Sequence, residues 1–368
     1  MNISQIALHH LRMRLQSPFE TSFGRSQERE CILLEARAEG LVGYGECVAD
    51  RDPGYSYETA GTAWHILRDF LVPAILNKDF QSVQEVQNHI AHVRGHPMAK
   101  AGLEMVYWDL LGKSEGKDFQ EMIGGKGDQV QVGVSIGIQE SPDALVGVVG
   151  DYLDQGYGRV KLKIKPGRDI SDVQAVRHEF PGLRLQVDAN SAYDLDSALG
   201  LLPLDQLNLL MIEQPLAEDD LWDHSRLQVQ FKTPICLDES IVTLRHARQA
   251  LEMKACRVVN IKPGRVGGLS QAIAIHDLCL AENIPVWCGG MLETGVGRAA
   301  NLALASLPGF VFPGDISATD RYYAEDITNE CFELNPDSSI NIPDKPGLGI
   351  TIDSRALKKA TVNREMIV

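Results

Sequence analysis

RVKLKIK at 159–165, LRLQVDAN at 183–190, LLMIEQP at 209–215, PICLDES at 234–240 and RVVNIKP at 257–263 are five short apolar runs. Each ends on charged or amide residues and then on a turn or a helical segment. Three further runs continue the series, VQVGVSIGI at 130–138 before it and PVWCGG at 285–290 and FVFPGDI at 310–316 after it. Helical stretches such as ALVGVVGDYLDQG at 144–156 and VQAVRHEF at 173–180 lie between most of them. Continuous apolar strands alternating with helices are the pattern of a parallel sheet covered on both faces. Eight strands at about 23 residues per unit suit a compact βα repeat. They predict an α/β fold closed as a (β/α)₈ barrel. The rival, an open doubly wound sheet, usually carries a glycine-rich dinucleotide loop after its first strand, and VSIGIQES at 134–141 is not one.

Working outward, residues 1–125 read as an α+β unit. IALHHLRMRL at 6–15 and ECILLEARAEGLVGYGECVA at 30–49 read as strands, with Gly40, Gly43 and Gly45 as breaks. Between Met98 and Gly112, the residues Leu103, Val106, Tyr107, Leu110 and Leu111 share one face of a helix. The expected division is a capping unit at 1–125, a barrel at 126–318 and a C-terminal segment at 319–368. In that last segment INIPDKPGLGI at 340–350 is expected to return to the capping unit.

Within the barrel runs, one ionisable residue recurs near each strand end. Lys163, Asp188, Glu213, Asp238 and Lys262 are spaced 25, 25, 25 and 24 residues apart. Strand C-termini share one mouth in such a barrel, and active sites are built there. The five side chains are therefore expected to converge. A salt-bridged acid facing solvent is the plain alternative for any one carboxylate, but a constant repeat interval argues against it for three. Asp188, Glu213 and Asp238 would repel one another without a cation, and three hard oxygen donors suit Mg²⁺ or another divalent ion such as Mn²⁺. Lys161 and Lys163 lie two apart on one strand and share a face. Lys262 comes from the sixth strand and Lys163 from the second, so the amines should flank a ligand from opposite sides. Neighbouring positive charge is expected to lower their pKa values. Together these groups can remove a proton beside a carboxylate: the metal stabilises the resulting anion and a lysine takes the proton. A lysine base with Mg²⁺ is a pattern already described for enolase-type sites.

The chain has 50 acidic and 35 basic residues, a formal charge of −15, which argues against a nucleic-acid partner. An anionic substrate then needs locally concentrated positive charge. Seven widely spaced cysteines with no CxxC pair argue against a disulfide framework or a zinc site and predict buried thiols. No basic-then-apolar leader and no bilayer-length apolar run is present, so neither membrane insertion nor export is expected, and the cytoplasm is the expected compartment.

At these motifs the chain resembles the enolase superfamily, in its muconate-lactonising-enzyme-like branch. It is most similar there to the o-succinylbenzoate synthase and N-succinylamino acid racemase group. SPFETSFG at 17–24, GHPMAKAGLEM at 95–105, VKLKIKPG at 160–167, QVDANSAY at 186–193, IEQPL at 212–216, CLDESI at 236–241 and VNIKPGRVGG at 259–268 carry the resemblance. So do the long block from Val286 to Phe310 and FPGDISATDRYY at 312–323, and the likeness spans essentially the whole chain. It implies a (β/α)₇β TIM-like barrel with an α+β capping domain. It also implies Lys163 and Lys262 as catalytic acid/base groups, with Asp188, Glu213 and Asp238 as metal ligands. Glu239 is implied behind the third ligand, and Phe19, Phe23, Tyr55, Ser135, Gly290 and Met291 in the substrate pocket. Lys161 is read as a partner of an acid or an aid to ligand binding. Arg265 matches an arginine associated with racemase-capable members. The implied reaction is Mg-dependent syn dehydration of 2-succinyl-6-hydroxy-2,4-cyclohexadiene-1-carboxylate in menaquinone biosynthesis, a lyase activity. N-succinylamino or N-acylamino acid racemisation is the alternative, and dipeptide epimerase or cycloisomerase a further one. A metal-dependent binding protein without turnover is the non-enzyme alternative. The implied partner is a small-molecule carboxylate, and the implied assembly a homo-oligomer.

Overall fold

The chain opens with a long antiparallel hairpin of β1 (Ile3–Thr21) and β2 (Gly24–Ala38), which β3 (Leu41–Cys47) extends. The computed structural model describes all 368 residues. Of the three glycines expected to break this region, only Gly40 turns the chain. It holds φ +84 beside Glu39 at φ +52, the left-handed pair that tight hairpins require. Gly43 and Gly45 lie inside β3 because the helix Pro97–Glu115 crosses there. A Cβ on Gly45 would stand 2.1 Å from the Gly102 carbonyl oxygen, and one on Gly43 2.5 Å from Leu110 Cγ. They are sites of close approach rather than breaks.

In that helix Leu103, Val106, Tyr107 and Leu110 pack into the core under the sheet, with Leu111 at its margin. Met105 points the other way, into a core shared with the barrel and with Leu11, Met13 and Leu15 of β1. The helix is therefore sandwiched, which is why apolar residues extend beyond the single face read from its periodicity.

The expected first barrel strand is split in two. β4 (Gln129–Gln131) pairs with β12 (Ser339–Asn341), and only β5 (Val134–Ile136) enters the barrel. Six more parallel strands follow in order: β6 (Arg159–Lys163), β7 (Arg184–Asp188), β8 (Ile212–Glu213), β9 (Ile235–Leu237), β10 (Val258–Ile261) and β11 (Val286–Cys288). The eighth run, FVFPGDI, closes the ring by single bridges, Phe310 with Val286 and Gly314 with Val132. It is the last strand of the barrel, and no barrel helix follows it: a short 3₁₀ turn at Thr319–Arg321 leads into the tail, whose one short helix lies at Ser354–Ala360. The architecture is thus (β/α)₇β, as the resemblance implied, rather than the eight full βα units counted from periodicity.

The returning segment reaches the helix Pro97–Glu115, where Leu348 N donates to Asp109 Oδ1 at 2.8 Å. A final strand, β13 (Thr361–Ile367), then pairs with β1. It escaped the sequence reading because its side chains are mostly exposed and show no apolar alternation. Six cysteines are buried as expected, whereas Cys331 is exposed because it lies in the irregular tail after the barrel. No helix is long and apolar enough to cross a membrane.

Candidate active site

The inner face of the barrel is polar from the first tip residues inward. On β6, Arg159, Lys161 and Lys163 alternate onto that face, as the two-residue strand period requires. Arg159 is fully buried and donates to Asp315 Oδ1 at 2.8 Å and to the carbonyls of Pro313 and Gly314. Lys161 Nζ reaches Asp315 Oδ2 at 2.7 Å and Asp188 Oδ2 and Glu213 Oε2 at 3.1 Å each. Both cations sit against the ring of Trp287, which forms the apolar floor with Met211, Cys236 and Val258. Burying this many charges is tolerable only because each has partners. Burial raises the Asp315 carboxyl, but Lys161 and Arg159 outweigh it and hold the group well below the carboxylate range.

Asp188 ends β7, Glu213 ends β8 and Asp238 directly follows β9. One ligand atom from each lies within 4.8 Å of the others, and all three residues are buried. Burial, and after it the charge of Asp188, push the Glu213 carboxyl up to about 8. Burial works the same way on Asp238, but Lys262 and Arg265 overcome it and keep that group ionised. The donor set is three carboxylate oxygens with no thiol or imidazole, and that chemistry fits a hard divalent cation.

The amines stand on either side of this cluster. Lys163 Nζ lies 2.6 Å from both Asp188 Oδ2 and Asn190 Oδ1, and 5.9 Å from the centre of the Phe19 ring. Lys262 Nζ lies 2.7 Å from Asp238 Oδ2 and 3.0 Å from the Tyr55 hydroxyl, which itself donates to Asp238 Oδ1. β6 and β10 are separated by three strands in the sheet order, so the two lysines face each other across the ring. The lowering of the amine pKa values expected beside a divalent cation is a separate matter from the balance of the protein's own groups at Lys262. Burial lowers the Lys262 pKa, but Asp238 raises it further, and the ammonium is held above the usual lysine range. Among the protein's own groups the carboxylates are the nearest charges.

A cavity of ≈ 640 Å³ opens above these groups. Phe19, Phe23, Tyr55, Ser135, Gly290 and Met291 all line it, together with Lys161, Lys163 and Lys262. Glu239 and Arg265 stand behind the wall. Glu239 Oε1 accepts from Asn190 Nδ2 at 2.7 Å, and Arg265 donates to Asp238 Oδ1 and to the carbonyls of Ile241 and Asn260. The stretch 17–24 is the tip of the β1–β2 hairpin, and it is clasped to the barrel. Ser22 Oγ donates to the Asn190 carbonyl, Ile138 N to the Glu20 carbonyl, and Lys165 pairs with Glu20.

Four residues of this network were not singled out by the sequence reading. Asn190 joins Lys163 to Glu239, Asn260 donates to Glu213 Oε1 at 2.7 Å, and Asp315 with Arg159 anchors Lys161. The strand period was the usable signal. Asn260 lies two before Lys262, Asn190 two beyond Asp188, Arg159 two before Lys161, and Asp315 stands at the tip of the eighth run.

The family profile described as mandelate racemase / muconate lactonizing enzyme, N-terminal domain, matches residues 3–124, and the one described as enolase C-terminal domain-like matches 145–356. The chain belongs to the enolase superfamily. It is 48% identical over 362 residues to an o-succinylbenzoate synthase of Geobacillus kaustophilus, covering 98% of this chain and 96% of that one. It is 47% identical over 368 residues to an N-succinylamino acid racemase of Amycolatopsis, covering all of both chains. A crystal structure of an enolase superfamily member from Listeria innocua superimposes with a TM-score of 0.96 at 44% identity, covering 100% of this chain and 99% of that one. Enzymes of this superfamily bind a divalent metal and act on small carboxylates, which agrees with a buried acidic triad beneath a cavity bordered by lysines.

Proposed function

We propose that this protein is an o-succinylbenzoate synthase of menaquinone biosynthesis, dehydrating 2-succinyl-6-hydroxy-2,4-cyclohexadiene-1-carboxylate. The observation that carries the reading is the pair of amines, Lys163 and Lys262, set on opposite flanks of the Asp188, Glu213 and Asp238 cluster. Near-half identity to named synthases over almost the full length supports it. Mg²⁺, or Mn²⁺ in its place, held by the three acids would supply positive charge to the substrate carboxylate and so lower the cost of carbanion formation. Lys163 takes the proton alpha to that carboxylate. The carbon–oxygen bond to the ring hydroxyl then breaks, a carbon–carbon double bond forms, and Lys163 returns the proton to the departing oxygen, so that water leaves on one face. Lys262 remains an ammonium and faces the developing negative charge, held in place by Asp238 and Tyr55. Phe19, Phe23, Tyr55, Ser135, Gly290 and Met291 would enclose the substrate, with Lys161 and Glu239 fixing the charged groups beneath it.

A second activity, racemisation of N-succinylamino acids, is favoured by the same two amines, because each can reach one face of an alpha carbon. Arg265 bonds the carboxylate that Lys262 bonds, which places it to tune that second base. In this reading the capping unit spans 1–125, the barrel 126–318 and the returning segment 319–368, in a cytoplasmic homo-oligomer. The test measures kcat/KM for the cyclohexadiene substrate and for N-succinyl amino acids on one Mg²⁺-loaded preparation. Dehydration is expected to be the faster reaction. Turnover of neither substrate would overturn the reading, and racemisation alone would replace the first activity with the second.

A further inference from the structure

The turn from β11 into the last barrel helix, residues 289–294, passes directly over Lys262. A Cβ on Gly289 would stand 2.5 Å from Lys262 Cε and 2.3 Å from Asn260 Oδ1, so this backbone lies against the lysine stem. Gly290, Met291 and Leu292 then run on to line the cavity. Leu292 holds φ +56, a conformation that a residue with a side chain adopts only when its surroundings impose it.

Those surroundings come from three parts of the chain. Arg29 Nε of β2 donates to the Met291 carbonyl at 3.1 Å, and the Tyr323 hydroxyl to the Leu292 carbonyl at 2.6 Å. Glu293 folds back, accepting from Met291 N at 2.8 Å and Asn301 Nδ2 at 2.9 Å. The far end of the turn is fixed by Glu46 of β3, which is 1% exposed. Its carboxylate accepts from Thr294 Oγ1 at 2.7 Å, Thr294 N at 3.1 Å and Gly297 N at 3.0 Å. These include amides at the start of the helix Gly295–Ala305 that no preceding turn can satisfy, so an acceptor there is favoured, although burial pushes the Glu46 carboxyl up to about 7. The fit is close: a Cβ on Gly297 would lie 2.9 Å from Glu293 Cβ and 3.0 Å from Glu46 Oε2.

We infer that Glu46 is a positioning residue for Lys262. By pinning the first turn of the helix Gly295–Ala305 to the antiparallel sheet, it holds residues 289–294 against the lysine stem and so sets the flank of the substrate that Lys262 serves. Glu46 touches no reacting atom and acts through the backbone between. Lys163 is held by Asp188 and Asn190 instead. The inference rests on the two-lysine reading of the site given above.

The test is deuterium exchange in D₂O at the alpha carbon of each enantiomer of an N-succinyl amino acid, on the Mg²⁺-loaded enzyme. Lys163→Ala and Lys262→Ala first assign which enantiomer each lysine deprotonates. Glu46→Gln keeps the side-chain size and an acceptor oxygen, but sets an NH2 where Oε1 accepts from Thr294 N. Exchange of the Lys262-facing enantiomer is expected to fall at least about tenfold further than that of its mirror image, the scale of a small displacement of a reacting group. Thr294→Val, which removes the hydroxyl donated to Glu46, is expected to give the same asymmetry, and Thr294→Ser to restore the wild-type ratio. Thr294→Val also carries the comparison if Glu46→Gln does not fold. Equal slowing of both enantiomers, or none, would overturn the inference while leaving the two-lysine site intact. Wild-type enzyme that exchanges only one enantiomer would remove the two-lysine reading itself and this inference with it.

Discussion

Replacing Glu104 by glutamine separates the electrostatic cost of a buried carboxylate from the packing around it. Glu104 lies in the helix Pro97–Glu115, is 1% exposed, and reaches across to the start of the barrel helix Leu269–Ala281. Its Oε1 accepts from Gln87 Nε2 at 2.7 Å, Ser270 N at 3.2 Å and Trp108 Nε1 at 3.4 Å. Oε2 has no partner, and a Cβ on Gly268 would fall 1.5 Å from it. Burial outweighs the bonds from Ser270 and pushes the carboxyl up from its ordinary 4.5 to about 7. Between those values the folded protein keeps Glu104 protonated while the unfolded chain ionises. The stability tied to Glu104 is therefore fully present below pH 4.5 and is lost as pH rises to about 7. The displacement corresponds to about 3 kcal/mol, of which about 2.5 kcal/mol falls between pH 5 and pH 8. Glutamine is neutral throughout. Urea unfolding of the wild type and Glu104→Gln at both pH values gives the gap in stability between them, and other titrating groups largely cancel because both proteins carry them. The gap is expected to move by about 2.5 kcal/mol toward the variant on going from pH 5 to pH 8. A gap that stays constant with pH would refute the reasoning and place Glu104 as an anion in the folded protein.

Lys163→Ala is expected to lower dehydration by at least about a hundredfold, the scale of a lost general base, and unaltered kcat would remove Lys163 from that role. Lys262→Ala is expected to abolish racemisation while the protein stays folded; racemisation at the wild-type rate would reject the two-base scheme. Stripping divalent ions with a chelator is expected to stop turnover and lower the Tm, with both restored by Mg²⁺, because Asp188, Glu213 and Asp238 then face one another with only lysine and arginine as counter-charge. Full activity after chelation would end the metal assignment. Gly45→Ala is expected to destabilise by about 1–3 kcal/mol or more, since its Cβ would meet backbone at 2.1 Å from the Gly102 oxygen and 2.8 Å from Val106 N. An unchanged Tm would show that the helix has room to move.

The barrel and its convergent charges were legible because both follow from short-range periodicity. Strands buried on both faces read as apolar runs, and a charge that interrupts such a run at each repeat must point into the mouth. Elements whose partners lie far along the chain were not legible in this way. The split of VQVGVSIGI depends on β12, more than two hundred residues away, and β13 is a strand only because β1 offers an edge. Gly43 and Gly45 look like turn residues until a helix is seen to cross them.

At the site itself, residue types and their interval along the chain were enough to gather Lys163, Asp188, Glu213, Asp238 and Lys262 at one mouth. Which charges stand nearest each amine was settled only by packing in three dimensions. Lys262 meets Asp238, and Lys161 is bound to three acids, one of them Asp315 at the tip of the last barrel strand. Likewise, no local pattern connects Glu46 to Thr294, 248 residues apart. Periodicity constrains which way a side chain faces, whereas the energy of a buried charge depends on every group within a few ångströms, and those neighbours are chosen by the closed ring and the sheet folded over it.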